Sequence, residues 1–146
     1  MATVAPTSDV SVVGWTAEPP GNKYEAIDEA SPSDADYIWS YTDGAAPATF
    51  GLSSTIPAGT HTINLRSFVN QGTASMRVRL LNGSDVVQGT SNYVTINTVA
   101  TTYPISITTT GDATRLRIEL SDVLPAEILM VGIDPLSWNG EFLSFT

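Results

Sequence analysis

One stretch of this sequence concentrates the oxygen atoms that a metal ion or a general acid would need. The segment "IDEASPSDADYIWS", residues 27–40, places Asp28, Asp34 and Asp36 around Pro32. The EF-hand spacing D-x-[DN]-x-[DN]-G is absent, so these aspartates are candidate ligands only for an irregular calcium site. The alternative, which we favour, is that the Asp and Ser side chains hydrogen-bond their own backbone as turns and lead the chain into a strand at Asp36.

Acid catalysis by paired carboxylates is the second chemistry that these residues suggest. A glycosidase would need Asp28 or Glu29 to face Glu119 or Glu127 across a sugar. No feature of the sequence brings them together, and it has no nucleophile motif and no phosphate-binding loop. His61 is the single histidine, and we expect it to be partly buried and hydrogen-bonded at the start of a strand. The sequence therefore predicts no catalytic residue, no cofactor and no enzymatic activity.

Aromatic residues are a third candidate group, because their rings can stack on the apolar faces of sugars. The sequence offers seven candidate aromatic residues: Trp15, Tyr24, Tyr37, Trp39, Tyr41, Tyr93 and Tyr103. Trp15, Trp39 and Tyr41 are the candidate stacking residues. Tyr37, Trp39 and Tyr41 alternate along one strand and share a face, so the competing interpretation, favoured for Tyr37 and Trp39, is that they fill the core.

Five of the six basic residues lie on the outward phase of three predicted strands. They are predicted to form a basic stripe on one sheet and consist of Arg66, Arg77, Arg79, Arg115 and Arg117. Directly opposed like charges are unfavourable unless an acid lies between them, and Glu119 is the nearest acid in phase. Two interpretations stay open, a partner interface and an ordinary solvated face with weak local ion pairs.

The C-terminal segment is unusually apolar for a surface strand. Residues 128–133 are apolar on both phases, and Trp138, Phe142 and Phe145 follow. A strand of this kind must be covered on both faces. The sequence therefore predicts an attachment segment over residues 134–146 that buries its aromatic side chains against another subunit or a particle surface.

Composition excludes several classes of protein. The chain has 146 residues, no cysteine and a net charge of −9, which argue against disulfides, cysteine zinc sites and nucleic acid as a partner. No apolar run approaches the roughly 20 residues of a membrane span, and residues 1–10 lack the features of a signal peptide. We therefore expect a protein made in a cytoplasm that does not bind membranes.

The elements that must position these residues are strands. In "LRIEL", Leu116, Ile118 and Leu120 alternate with charged residues, as expected for a strand with one buried and one wet face. Many such short strands, separated by turn signals, predict a single all-β domain over residues 10–146, a jelly-roll-like two-sheet antiparallel sandwich, preceded by an extended N-terminal arm at residues 1–9. No internal repeat or linker divides it.

The sequence also predicts one specific hairpin. The segments "THTINLRSFV" and "ASMRVRLL" are separated by "NQGT", a short turn that contains glycine. The predicted pairing joins residues 63–69 to residues 74–80. It sets Ile63 opposite Leu80 and Arg66 opposite Arg77.

The order of these motifs resembles a family. The blocks "GWTAEPPGNKYEAIDEASPSDADYIWS", "FGLS", "HTINLRSF", "MRVRLLNGSDVV" and "LRIEL" look like a jelly-roll domain of virion proteins from tailed bacteriophages, over about residues 14–121. The resemblance implies a structural protein without enzymatic activity on the virion surface, made in the host cytoplasm. Similar jelly rolls also serve as carbohydrate-binding modules.

Three functions follow as alternatives. The first is a head-decoration, or cement, protein that binds the major capsid protein or another virion protein as a homo-oligomer, with a trimer favoured, and so stabilises the capsid. The second is a carbohydrate- or receptor-binding module of a phage tail or fibre. The third is a hydrolase, which would require two carboxylates that converge in a cleft.

The acidic segment yields a prediction that needs no structure. If its aspartates form turns rather than a calcium site, the protein should unfold at the same temperature with calcium and with a chelator, because only a ligand of the native state raises its stability. Thermal melts followed by circular dichroism measure this. A melting temperature several degrees higher with calcium would make Asp28, Asp34 and Asp36 ligands instead.

Overall fold

The described part of the chain consists of strands joined by turns. The computed structural model describes residues 2–4, 6–12, 16–18, 37–41, 47–69, 74–99, 101–122, 130–134 and 143–145. Within these ranges there is no helix, and so none that is long and apolar enough to cross a membrane. In chain order the strands are β1 (Ala2–Val4), β2 (Pro6–Ser11), β3 (Thr16–Glu18), β4 (Tyr37–Tyr41), β5 (Ala48–Ile56), β6 (Gly59–Val69), β7 (Ala74–Leu81), β8 (Val87–Thr90), β9 (Val94–Ile96), β10 (Thr101–Thr109), β11 (Ala113–Asp122), β12 (Met130–Asp134) and β13 (Leu143–Phe145).

Most of these strands belong to two antiparallel sheets. The five-stranded sheet has the order β10-β6-β12-β4-β3. The six-stranded sheet has the order β2-β5-β11-β7-β8, and β9 pairs with β7 beside β8. The protein is therefore an all-β, antiparallel two-sheet sandwich, which confirms the predicted fold class.

The core lies between the two sheets and follows from the alternation of side chains along each strand. On β7 the even-numbered residues from Ala74 to Leu80 are fully buried, while the odd-numbered residues from Ser75 to Arg79 are partly exposed. Both sheets contribute to one apolar cluster, which includes Phe50, Ile63, Leu65, Met76, Val78, Ile105, Ile107, Leu116 and Ile118. Burying each of the larger side chains stabilises the fold by about 1.5–3 kcal/mol.

The chain crosses between the sheets at most of its connections. The "PAG" turn after β5 leads from the six-stranded to the five-stranded sheet, and the "GD" turn after β10 leads back. Gly59 has φ +143°, a conformation that residues with a Cβ rarely adopt. His61 Nε2 lies 2.7 Å from the Pro57 carbonyl oxygen, and Thr109 Oγ1 donates to the same oxygen at 3.2 Å. His61 is buried and hydrogen-bonded, as predicted.

The predicted hairpin between residues 63–69 and 74–80 is wrong. Strand β6 pairs with β10 and β12, whereas β7 pairs with β11, β8 and β9, so the two strands lie in different sheets. Arg66 therefore does not face Arg77. An amphipathic strand buries its apolar face equally well in a hairpin or across a sandwich, and a glycine-containing connection suits both, so the sequence pattern does not distinguish them.

A hairpin does occur one connection later. The residues Asn82–Val86 join β7 to β8 within the six-stranded sheet. Asn82 Oδ1 accepts hydrogen bonds from the backbone N–H of Ser84 at 2.9 Å and of Val86 at 3.0 Å. Asp85 adopts a positive φ of 61°, which Asp tolerates better than most residues.

The two ends of the chain are paired in the structure. Pro6–Ser11 pairs with β5 at the edge of the six-stranded sheet, so residues 6–9 of the predicted arm belong to the sandwich. Ala2–Val4 and Leu143–Phe145 form a separate two-stranded sheet. Met130–Asp134 is an internal strand between β6 and β4, so both of its edges are paired within the five-stranded sheet. The attachment role of residues 134–146 stays a prediction.

Engineered disulfides can test the corrected topology. Thr60 and Thr108 are paired across β6 and β10, and their Oγ1 atoms lie 3.0 Å apart. We expect the double variant Thr60→Cys/Thr108→Cys to form a disulfide on mild oxidation, since paired antiparallel residues have Cα separations of roughly 4.5–5.5 Å. Mass spectrometry of non-reduced peptides detects the bond, and the natural chain has no cysteine to interfere.

The matched control is Asn64→Cys/Arg79→Cys, which the hairpin register would place face to face. In the sandwich these positions lie in different sheets, so this variant should stay reduced. A disulfide in the control and none in the Thr60–Thr108 pair would contradict the topology.

Candidate functional site

Four of the arginines share the outer surface of the six-stranded sheet. We call this surface the arginine face; its members are Arg77 and Arg79 on β7 and Arg115 and Arg117 on β11. The register places Arg117 directly beside Arg79, and Glu119 directly beside Arg77. Since paired residues of an antiparallel sheet point to the same side, these side chains form one surface opposite the core.

The row that contains Arg117 and Arg79 crosses five strands. It runs from Ser11 through Thr49, Arg117 and Arg79 to Thr90. Adjacent strands lie about 4.8 Å apart, so the row extends over roughly 19 Å. The row contains only hydroxyl and guanidinium side chains.

One carboxylate serves two arginines on this surface. Glu119 Oε1 accepts a hydrogen bond from Arg77 Nε at 2.6 Å and lies 3.1 Å from Arg79 Nε. The buried Nε of Arg79 has no hydrogen-bond partner, so its contact with Glu119 is an ion pair outside hydrogen-bonding geometry. The Glu119 side chain is only 15% exposed, and this burial limits screening by solvent.

The two arginines of β11 differ in their partners. Arg115 Nη1 donates to Asp85 Oδ1 at 2.7 Å, and the Asp85 side chain is 48% exposed. Arg117 Nε donates to Thr49 Oγ1 at 3.2 Å. Among the residues that the structure describes, no carboxylate forms an ion pair with Arg117.

A local irregularity places Tyr93 against the arginine face. Arg79 pairs with Thr90 and Met76 pairs with Val94, so three residues of the β8–β9 connection, Ser91 to Tyr93, oppose two on β7. An extra residue of this kind redirects side chains, as β-bulges do.

Ser91 fastens this connection to β7. Its backbone N–H donates to the Val78 carbonyl oxygen at 3.0 Å, and its Oγ accepts from the Val78 N–H at 3.0 Å. Tyr93 then lies beside Arg77, whose guanidinium carbon is 4.6 Å from the ring centroid, a cation–π contact. The Tyr93 side chain remains 45% exposed to solvent.

The predicted basic stripe is therefore correct for four residues and wrong for the fifth. Arg66 lies on β6 in the five-stranded sheet, where its backbone partners are Thr102 and Asp134. The sequence pattern predicts Arg66 in the stripe because it favours a hairpin that would pair β6 with β7. Glu119 lies where the sequence predicts the compensating acid.

Most other candidate residues lie away from this surface or outside the described residues. Trp39 and Tyr41 are on β4 of the five-stranded sheet, and Phe145 is on β13; only their backbone is described. The candidates that lie outside the described residues are Trp15, Asp28, Asp34, Asp36, Trp138 and Phe142. Within the described ranges, no three His, Asp or Glu side chains come together as a metal would require.

Sequence reasoning did not find the roles of three residues. Ser91 positions Tyr93, Asp85 pairs with Arg115, and Thr49 supports Arg117. The "NGSD" turn indicates the role of Asp85, because a tight turn after β7 keeps this acid close to the strands of the same sheet. No comparable signal marks Ser91 or Thr49, because their roles depend on register between distant segments.

The chemistry of the arginine face is that of a cationic binding surface. Among the residues that the structure describes, the four guanidiniums form ion pairs with two carboxylates, Glu119 and Asp85, an excess of two positive charges at this surface in a protein whose net charge is −9. Guanidinium groups can offer two parallel N–H donors to a planar acceptor. Together with Tyr93 and the exposed residues Ser11 and Thr90 at the ends of the row, they can bind a polar ligand; Thr49 within the row is buried.

No family model matches this chain, and no curated protein matches it either. Several solved structures are similar to it in fold. One is a carbohydrate-binding module from Clostridium stercorarium in complex with cellobiose, with 18% identity and a TM-score of 0.46, over 88% of this chain and 83% of that one. Another is the carbohydrate-binding module CBM36 in complex with calcium and xylotriose, with 17% identity and a TM-score of 0.42, over 88% and 96% of the two chains.

A phage protein is also among these structures. The enzymatically active domain of tailspike protein 4 from bacteriophage CBA120 has 18% identity and a TM-score of 0.40, and the match covers 91% of this chain but 18% of that one. At these identities and TM-scores, the ligands and activities named belong to those proteins alone.

The shared carboxylate predicts a measurable effect on stability. Replacing Glu119 with Gln keeps the shape but leaves Arg77 and Arg79 without their common anion. We expect the free energy of unfolding to fall by about 1–2 kcal/mol, and added salt to recover part of the loss because it screens repulsion between the arginines. Urea denaturation at low and high salt measures both quantities.

The control is Asp85→Asn, which breaks the more exposed ion pair with Arg115. Exposed pairs contribute at most about 1 kcal/mol, so the loss of stability should be smaller than for Glu119→Gln. Equal losses in the two variants would show that the shared position of Glu119 has no special role.

Proposed function

We propose that this protein is a non-catalytic binding module whose arginine face, together with Tyr93, holds a carbohydrate chain. The observation that carries the proposal is Tyr93, which is 45% exposed and has the Arg77 guanidinium carbon 4.6 Å from its ring centroid, on a sheet surface that also carries guanidinium and hydroxyl groups. A sugar has apolar C–H faces and many hydroxyls. Such a ligand suits a surface that offers one flat ring and many polar groups.

The composition of the surface suits a polyhydroxylated ligand. The arginine face contains four guanidiniums and a shared carboxylate, with Tyr93 as its exposed ring among the described residues. Guanidinium groups can donate hydrogen bonds to sugar hydroxyls. Arg and Tyr are also enriched at protein–protein interfaces, so direct binding measurements with glycans distinguish the two kinds of partner.

The state of Glu119 supports a binding role rather than catalysis. A glycosidase acid must be free to exchange a proton with the sugar oxygen. Glu119 Oε1 is held by Arg77 and Arg79, and this arrangement favours a fixed carboxylate with a structural role. The other carboxylates considered for catalysis, Asp28, Glu29 and Glu127, lie outside the described residues.

A phage virion is the setting that we propose for this module, and the sequence resemblance alone supports it. A receptor-binding position on a tail or fibre fits a module that recognises surface polysaccharides. The capsid-decoration function, its capsid partner and the trimer stay separate predictions. Trp138 and Phe142, on which attachment would depend, lie outside the described residues.

Substitution of Tyr93 tests the proposal. A glycan array of neutral and acidic oligosaccharides is first used to find a ligand, and affinity is then measured by isothermal titration calorimetry. We expect Tyr93→Ala to weaken binding by about fivefold, since a stacked aromatic contact contributes on the order of 1 kcal/mol. Tyr93→Phe keeps the ring and should bind within about threefold of the natural protein.

The control for general effects is Thr108→Ala, on an exposed position of the five-stranded sheet. All variants should remain folded by circular dichroism. Absence of binding to any glycan, or unchanged affinity in Tyr93→Ala, would contradict the proposed function.

A further inference from the structure

Arg79 and Arg117 are directly opposed like charges in the centre of the arginine face, and Glu119 forms an ion pair with Arg79. They are direct partners across β7 and β11, where Cβ atoms are about 4.5–5.5 Å apart. Like charges in this position destabilise a sheet unless an anion lies near them. Arg79 shares Glu119 with Arg77, and no carboxylate in the described part of the chain pairs with Arg117.

Their own hydrogen bonds leave both groups able to bind a ligand. Arg117 uses Nε to reach Thr49 Oγ1. Arg79 has its Nε buried at 3.1 Å from Glu119 without a hydrogen bond, and its side chain is 28% exposed. Among the described residues, Arg77, Arg79 and Arg117 thus lie near one carboxylate, Glu119, which forms ion pairs with Arg77 and Arg79.

We propose that the ligand of this surface is an acidic polysaccharide, and that Arg79 and Arg117 together bind its carboxylate or sulfate groups. The inference rests on the proposed function, since it specifies the class of sugar that the same surface recognises. An anion placed between the two guanidiniums removes their mutual repulsion and gains charge-assisted hydrogen bonds. Tyr93, in the adjacent row, takes a sugar ring of the same chain.

The distribution of charge supports selection for such a ligand. The chain carries 15 acidic and 6 basic residues, yet four of the basic residues lie on one outer surface. A strongly acidic protein repels polyanions in general. A local cationic row therefore attracts the acidic groups of a ligand, while the net negative charge of the chain disfavours binding of polyanions elsewhere.

Polysaccharides with and without their charges test this inference. Binding is measured by affinity electrophoresis in gels that contain polygalacturonate, alginate or dextran sulfate, the carboxyl-reduced forms of the first two, uncharged dextran, or inorganic polyphosphate. We expect retardation by at least one of the acidic polysaccharides, and much weaker retardation by its uncharged counterpart and by polyphosphate. Carboxylated and sulfated polymers in separate gels distinguish the two kinds of acidic group.

Matched arginine variants test the subsite. Arg117→Gln should weaken binding to the acidic polymer by about tenfold or more, since it removes a charge-assisted hydrogen bond. Arg66→Gln removes the same charge from the five-stranded sheet, away from the arginine face, and should change binding by less than about threefold. Arg117→Lys keeps the charge without the two-pronged donor and should give an intermediate loss.

The outcomes separate this inference from the proposed function. Equal binding of charged and uncharged forms, or equal effects of Arg117→Gln and Arg66→Gln, overturns the acidic ligand and leaves carbohydrate binding intact. Binding of polyphosphate as tight as that of the acidic polysaccharide contradicts both, because no sugar is recognised. If no polysaccharide binds, both the acidic ligand and the proposed carbohydrate-binding function are contradicted. If in that case Arg117→Gln abolishes co-sedimentation with phage particles, the partner of the arginine face is a protein.

Discussion

The pairing of β7 with β11 is the constraint on which both faces of this protein depend. With Ile118 opposite Val78, one set of side chains enters the core, and the alternate set, Arg117 opposite Arg79, must point to solvent. A shift of one residue would bring guanidiniums into an apolar interior at a cost of several kcal/mol. The hydrophobic core therefore fixes the register, and the register in turn determines how close the arginines lie.

Electrostatics then determine how this surface is charged. Glu119 is shared between Arg77 and Arg79, and Asp85 pairs with Arg115, so among the described residues Arg117 has no carboxylate partner. The core on the other side of the sheet stabilises the strands against repulsion between neighbouring arginines. The anionic ligand that we propose would reduce this repulsion.

The sequence predicted the class of fold, the alternation on β7 and β11, the burial of His61 and the compensating position of Glu119. Each of these depends on local periodicity, on a neighbouring turn or on the phase of one strand. It did not predict that β6 and β7 lie in different sheets, because an amphipathic strand shows the same pattern in a hairpin and in a sandwich. This error placed Arg66 beside Arg77. Tyr93 was one of seven candidate aromatics, and its place beside Arg77 depends on the extra residue after Ser91, which only the register between β7 and β9 reveals.

Nuclear magnetic resonance titration tests the central claim most directly, since it locates a ligand without substitution. Nitrogen-labelled protein is titrated with oligosaccharides of the acidic polymer that binds best, and backbone amide and arginine Nε–H resonances are followed. We expect the largest chemical-shift changes at Arg79, Arg117 and Tyr93, and little chemical-shift change on β6 and β10. Shifts confined to the five-stranded sheet or to the C-terminal segment would contradict the claim.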